Sequence, residues 1–325
     1  MRLHLVLMAA LAACLGAPAP ALSQSDYPSR PITLIVPFPA GGVTDFAGRE
    51  IARSLSKSLN QTVVVENRAG AGGNIGTLAV AKAKPDGYTL GILTVSAMSI
   101  APHITRNLGF NPEKDFTPIT NIVTTPGAIV ANPGTPYKSL QEMVRFAREQ
   151  PGKVTYASVG QGSIPHLTAE MFAQRAGITM HHIPYKGAAP AMQDVLAGHV
   201  NLSFETSLVT AVNHHAAGKI KVLAITGPEP SPLMPNVPTV AQAGYPGFSA
   251  EGWFGLFAPA GLPPNITEAL NKAATDALRD PAVIERFEKV GTKPAPSSPE
   301  AFASYLKSEA NKWAAIAKGL NLQLD

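Results

Sequence analysis

Two stretches of this 325-residue chain carry the residue types of an anion-binding turn. The first, "LIVPFPAGGVTDFAGRE", leaves an apolar run through Phe38, Pro39 and Ala40. It then reaches Gly41 and Gly42, Thr44 and Asp45, and a helical pattern. The second, "VTYASVGQGSIPHLTAEMF", runs in the same way from Ser158 through Gly160 and Gly162 to Ser163 and His166. Glycine lets a backbone approach a ligand without a Cβ in the way. A helix starting there presents unpaired N–H groups and a partial positive charge. Such a turn suits a phosphate or a carboxylate.

Known motifs narrow the choice. A P-loop needs a Lys that neither stretch has. A dinucleotide fingerprint needs a third glycine, where Pro165 follows Gly160 and Gly162, and Ile75 follows Gly70 and Gly72. Glu66 ends a strand where a ribose-binding acid would sit, but that likeness is general to the topology. "GAGGN" (70–74) also reads as a plain connection.

Catalytic signals are weaker still. "YASVG" places Tyr156 where a nucleophile elbow needs Gly, so Ser158 is not read as a triad serine. His181-His182 and His214-His215 are adjacent pairs, and neighbours on a strand point to opposite faces. There is no H-E-x-x-H and no thiol ligand set. No catalytic residue, metal or cofactor is expected. His166 stays a candidate because it lies one turn into the helix after the second glycine turn. Thr94 and Ser96 follow a strand and read either as ligand contacts or as loop caps. Asp45 reads either as a ligand contact or as a helix cap.

Alternating strand and helix patterns must position these residues. "ITLIVPF" (32–38), "TVVVEN" (62–67) and "YTLGILTV" (88–95) read as strands. Helical patterns at 45–59 and 75–84 separate them, which predicts a parallel sheet with helices on both faces. The pattern restarts with strands at 127–133, 153–160, 180–185, 200–206 and 219–226. Helices are expected after the Ser139–Glu142 capping box, over 163–177 and over 189–198. A proline-rich stretch (228–240) leads to a strand at 251–261. Two closing helices are expected, one from an Asn265–Glu268 capping box and one from Ser298-Pro299 past Trp313. The fold class is therefore α/β with two lobes. Residues 24–124 plus 250–325 form the first, and 125–249 the second. Trp253, near the return, is expected in core or hinge packing.

Composition fits this division. The chain is 45% hydrophobic and 15% charged, enough for two domains. Net charge is +4 with no run of Lys or Arg, so nucleic acid is not an expected partner. Residues 1–23 read as a secretory signal cleaved before Gln24, with a lipobox at Leu11–Cys14 as the alternative. Cys14 is the only cysteine, so the exported chain has neither disulfide nor thiolate nucleophile. No later stretch is apolar enough to span a membrane. A bacterial periplasmic protein is expected.

Seven ordered blocks carry a closer likeness: "YPSRPITLIVPFPAGGVTDFAGR", "VVVENRAGAGGNIGT", "PDGYTLGI", "HIPYKG", "AGKIKVLAITG", "PNVPTVAQAGYPGF" and "WFGLFAPAGLP". Nearly the whole exported chain resembles the substrate-binding receptors of tripartite tricarboxylate transporters, the Bug-type periplasmic proteins. The resemblance implies a type II periplasmic-binding-protein fold, a ligand cleft between its lobes, and membrane transporter subunits as partners. It implies that a small organic carboxylate is pinched by Phe38–Gly42 with Thr44 and Asp45, and by Ser158–Ser163 with His166. Where relatives often carry Asp, this chain has Glu205, so no amino-acid specificity is carried over. A monomer that performs no covalent chemistry is expected. The alternatives are a sensor docking a signalling membrane protein and, with no nucleophile–base motif to support it, an exported enzyme.

Overall fold

The computed structural model describes residues 27–206 and 208–320. The signal peptide, the Gln24 cleavage point and Cys14 lie outside the described residues.

The apolar run Ile32–Val36 forms β1, almost wholly buried because both faces of its sheet are covered. Val43–Ser58 forms α1, which lays Ala47, Ile51 and Leu55 on the sheet at helical spacing. Gly48 is needed there, since a Cβ would come 2.5 Å from Val36 Cγ2. β2 (Val63–Asn67), α2 (Asn74–Ala81) and β3 (Thr89–Thr94) complete a βαβαβ unit, with β1 parallel to β2 and β3.

The rest of this sheet departs from the expected parallel pattern. A π-helical turn, Ser96–Ile100, runs into α3 (Ala101–Ile104), and β4 spans Phe116–Pro126. No strand was expected over 116–126. Pro118 and the Thr-rich composition hide it, and its partner lies far along the chain. That partner is β10 (Glu251–Pro259), antiparallel to both β4 and β3. The sheet order is β11-β4-β10-β3-β1-β2, with β11 at Lys293–Pro294.

The second sheet runs β7-β6-β8-β5-β9. Its strands are β5 (Ala128–Ala131), β6 (Thr155–Ser158), β7 (His181–Pro184), β8 (Leu202–Glu205) and β9 (Lys221–Ile225). The helices are α4 (Leu140–Glu149), α5 (Ile164–Ala176), α6 (Ala188–Ala197) and the unexpected α7 (Leu208–Ala216). Ser139 caps α4 by accepting from the Glu142 N–H at 3.2 Å. The Glu142 carboxylate reaches back to the Lys138 N–H instead, at 2.7 Å.

The chain passes between the sheets at two adjacent places. β4 ends at Pro126 and β5 begins at Ala128, so Gly127 is the first crossing. A Cβ on Gly127 would lie 2.1 Å from the Glu205 carbonyl oxygen, which only glycine avoids. The return runs from Thr226, whose carbonyl accepts from the Ala250 N–H, into β10, where Glu251 pairs with Pro126.

Three helices close the chain rather than two: α8 (Pro264–Leu278), α9 (Pro281–Lys289) and α10 (Pro299–Gly319). The expected Asn265–Glu268 capping box does not form. The N-cap is Pro263, and Pro264 starts the helix. Ser298 does cap α10. Trp253 is fully buried, and its indole N–H and that of Trp313 both donate to Glu309 Oε2, at 3.3 and 3.1 Å.

Candidate functional site

A cleft of about 300 Å³ opens between the two sheets, a volume suited to a small ligand. The first sheet's side supplies Phe38, Val43, Thr44, Thr94, Val95, Ser96 and Phe254, with the loop Val290–Thr292. The second supplies Val159, Ser163, Ile164, Pro165 and Thr206. Thr125 and Gly252, on the crossing strands, line it as well. None of these side chains is ionisable. The polar wall consists of hydroxyls and backbone.

The helix ends explain what such a wall can hold. Gly42 is the N-cap of α1 and carries no side-chain cap. The N–H groups of Val43 and Thr44, both in the wall, have no acceptor among the described residues. Ile164, which opens α5, likewise has a free N–H, and Pro165 beside it has none to offer. The Thr94 hydroxyl is buried without a hydrogen-bond partner, an expensive state unless a ligand or water completes it. Uncommitted donors, a helix N-terminus and no competing carboxylate in the wall are the chemistry that suits an anion.

Among the sequence candidates, Phe38, Thr44, Thr94, Ser96 and Ser163 border the cleft. Most of the others brace its two turns. Gly41 gives its N–H to Asp45 Oδ2 at 3.0 Å, so that donor is spent within the loop. Asp45 also accepts from Arg49 Nε at 2.9 Å and Asn67 Nδ2 at 2.9 Å, and Asn67 Nδ2 reaches the Phe38 carbonyl at 3.0 Å. Burial works to raise the Asp45 carboxyl, but bonds from Arg49, Gly41 and Asn67 outweigh it and hold it low. Asp45 is therefore a loop brace, and neither the helix cap nor a wall of the cleft. Ala40 and Gly42 are exposed in the same turn and are not in the wall.

The second turn is braced by histidines. Gly162 donates its N–H to His166 Nδ1 at 3.0 Å, so this donor too is spent internally. Ser158 Oγ accepts from the Gly160 N–H at 3.1 Å and lies 2.6 Å from His182 Nε2. Ser158, Gly160, Gly162 and His166 thus stand behind the cleft wall rather than in it. Tyr156 stacks on His182, with ring centroids 4.9 Å apart, and its hydroxyl donates to Glu170 at 2.5 Å. Burial lowers both histidines, and the neighbouring His166 adds to this at His182, which falls to about 4.

No local sequence signal marks His182 for this role. Only the pairing of β6 with β7, which sets Tyr156 against His182, brings it there. Thr125, Thr206, Gly252, Phe254 and Val290–Thr292 were missed because the crossings and the C-terminal return place them.

Glu205 borders a separate, smaller recess behind the cleft. The recess holds about 10 Å³, room for one water, and shares Thr125, Ile164, Pro165, Thr206 and Gly252 with the cleft wall. The Ser203 hydroxyl donates to Glu205 Oε1 at 2.5 Å.

Two α/β sheets joined at adjacent crossings, with a ligand-sized cleft between them, define a two-lobed periplasmic binding protein of type II. Residues 47–322 match the family described as the tripartite tricarboxylate transporter family receptor, and the chain belongs to that family as a Bug-type member. It is similar to the protein BugT of Bordetella pertussis, 38% identical over 95% of this chain and 94% of that one. It is also similar to an R. palustris protein solved with adipate, at 33% identity and TM-score 0.79, covering 91% of this chain and 99% of that one. MatC of Rhodopseudomonas palustris, solved with bound malate, is 32% identical with TM-score 0.74, over 89% of this chain and 99% of that one. No helix among the described residues is long and apolar enough to cross a membrane.

Proposed function

We propose that this protein is a periplasmic receptor that binds a small organic carboxylate and delivers it to the integral-membrane subunits of a tripartite tricarboxylate-type transporter. The observation that carries this reading is the cleft wall: free N–H groups at the start of α1, hydroxyls of Thr44, Thr94 and Ser96, and no ionisable side chain, the Ser163 hydroxyl being spent on the Gly160 carbonyl at 2.6 Å. Neutral donors of this kind hold a carboxylate without a fixed counter-ion. The adipate and malate bound by two similar proteins support the ligand class.

We place the boundary between the two lobes at the crossings: Thr125 and Pro126 stay with the first sheet in β4, and the second lobe is the chain between Gly127 and Ala250. The lobes close about the crossings at Gly127 and Ala250–Glu251. A carboxylate bonded by both lobes stabilises the closed state through contacts the open state lacks. The protein acts as a monomer and makes or breaks no covalent bond.

A thermal-shift screen of mono-, di- and tricarboxylates against sugars and inorganic cations tests the proposal. A ligand that binds only the folded state raises Tm as its concentration rises. At least one carboxylate must do so. A shift by sugars or cations alone would overturn the reading.

A further inference from the structure

Glu205 closes β8 in the recess behind the cleft, where its backbone packs on the Gly127 crossing. The residue is only 9% exposed. One oxygen accepts from Ser203, and the other takes no hydrogen bond from any described residue. The groups around its recess come from every neighbouring element: Thr125, Thr168, Thr206 and Thr226, with apolar Ile164 and Pro165. None is charged or titratable, so no cation stands ready to neutralise a carboxylate there.

An ionised carboxylate buried without a counter-ion is costly, and a second anion in the adjoining cleft makes it more so. A carboxylic acid has no such cost and offers an O–H donor. We propose that Glu205 acts on the ligand as an uncharged acid, donating a hydrogen bond to the ligand's inner end, directly or through the one water its recess has room for. Burial also pushes the Glu205 carboxyl up, while the Ser203 hydroxyl pulls it down. The inference rests on the carboxylate-receptor reading and deepens it. Glu205 is then the specificity residue: it favours ligands with a hydrogen-bond acceptor at the inner end over those with a cation there.

The test is calorimetric titration of wild-type protein, Glu205→Gln and Glu205→Leu with adipate, malate and the carboxylates from the thermal screen, from pH 5 to 9. Wild-type affinity should fall with rising pH by up to about tenfold per unit above the midpoint, because ionisation removes the donor. Glu205→Gln keeps a donor that cannot ionise, so its affinity should not follow pH. Glu205→Leu should bind more weakly than Glu205→Gln. A wild-type affinity that stays flat to pH 9, or a Glu205→Gln protein that keeps the pH dependence, overturns this inference alone. If no carboxylate binds at any pH, the receptor reading falls and takes this one with it.

Discussion

The imidazole rings of His166, on α5, and His182, on β7, stack with centroids 4.1 Å apart and planes 14° from parallel. Each ring also supports the turn that faces the cleft: His166 through the Gly162 N–H, His182 through Ser158. Two stacked imidazoles tolerate neutrality far better than a shared positive charge. The turn is therefore built for neutral histidines.

That relationship has a sign in pH. His182 is depressed in the folded protein from 6.5 to about 4. Between those values the unfolded chain binds more protons, so stability falls as pH drops through that window and is unaffected above it. Thermal melts of wild type and His182→Phe from pH 7.5 to 4 should show a steeper loss in the wild type. Phenylalanine preserves the stack but cannot be protonated. Parallel curves would contradict the assignment.

Asp45 braces the first turn without bordering the cleft. Asp45→Ala should weaken carboxylate binding by about tenfold, the effect of losing roughly 1.4 kcal/mol, because the first turn loses the ties to Gly41, Arg49 and Asn67. The Asp45 carboxyl is held low in the fold, so its contribution to stability is present above the unfolded value and lost as pH falls through the folded one. Binding titrations at neutral pH check the first effect. Undiminished affinity would show that the turn holds its shape without Asp45.

Thr94 offers a cleaner probe, since its buried hydroxyl has no partner. Thr94→Val keeps the shape and removes the orphaned group. The free protein should melt at the same temperature or higher, while ligand affinity drops by about 1 kcal/mol, the net worth of one hydrogen bond. Calorimetric titration beside a melting curve separates the two. Lowered stability with unchanged affinity would place the hydroxyl's role in the fold.

Gly127 sets the first crossing. Gly127→Ala forces a Cβ against the Glu205 carbonyl and should destabilise the protein by about 1–3 kcal/mol, as overpacking does. Urea unfolding measures it. A change under about 0.5 kcal/mol, the usual range for surface substitutions, would mean that the crossing yields freely.

Much of the frame was legible in the sequence. The runs at 32–38, 62–67 and 88–95 read as strands because each is a short apolar segment between turn signals; the first and third are buried within the sheet, and the second forms its partly exposed edge. β4 was not legible. It carries Pro118 and no clean alternation, and it exists because β10 returns to pair with it. The site divides along the same line. Phe38, Thr44 and Ser163 border the cleft where a strand turns into a helix, a local event that glycines and hydroxyls announce. Thr125, Gly252 and Val290–Thr292 border it through long-range pairing, which leaves no local mark. The turns also bonded differently from the sequence expectation: the N–H groups of Gly41 and Gly162 are spent on Asp45 and His166, and the free donors are those of Val43, Thr44 and Ile164.

The most direct test of the central claim is a crystal structure of the protein with the carboxylate that raises its Tm most. The account predicts a carboxylate oxygen within hydrogen-bonding distance of the Val43 or Thr44 N–H, with the Thr94 hydroxyl engaged by the ligand or a bridging water. A carboxylate bound elsewhere, or one in the cleft held only by Arg or Lys side chains, would contradict it.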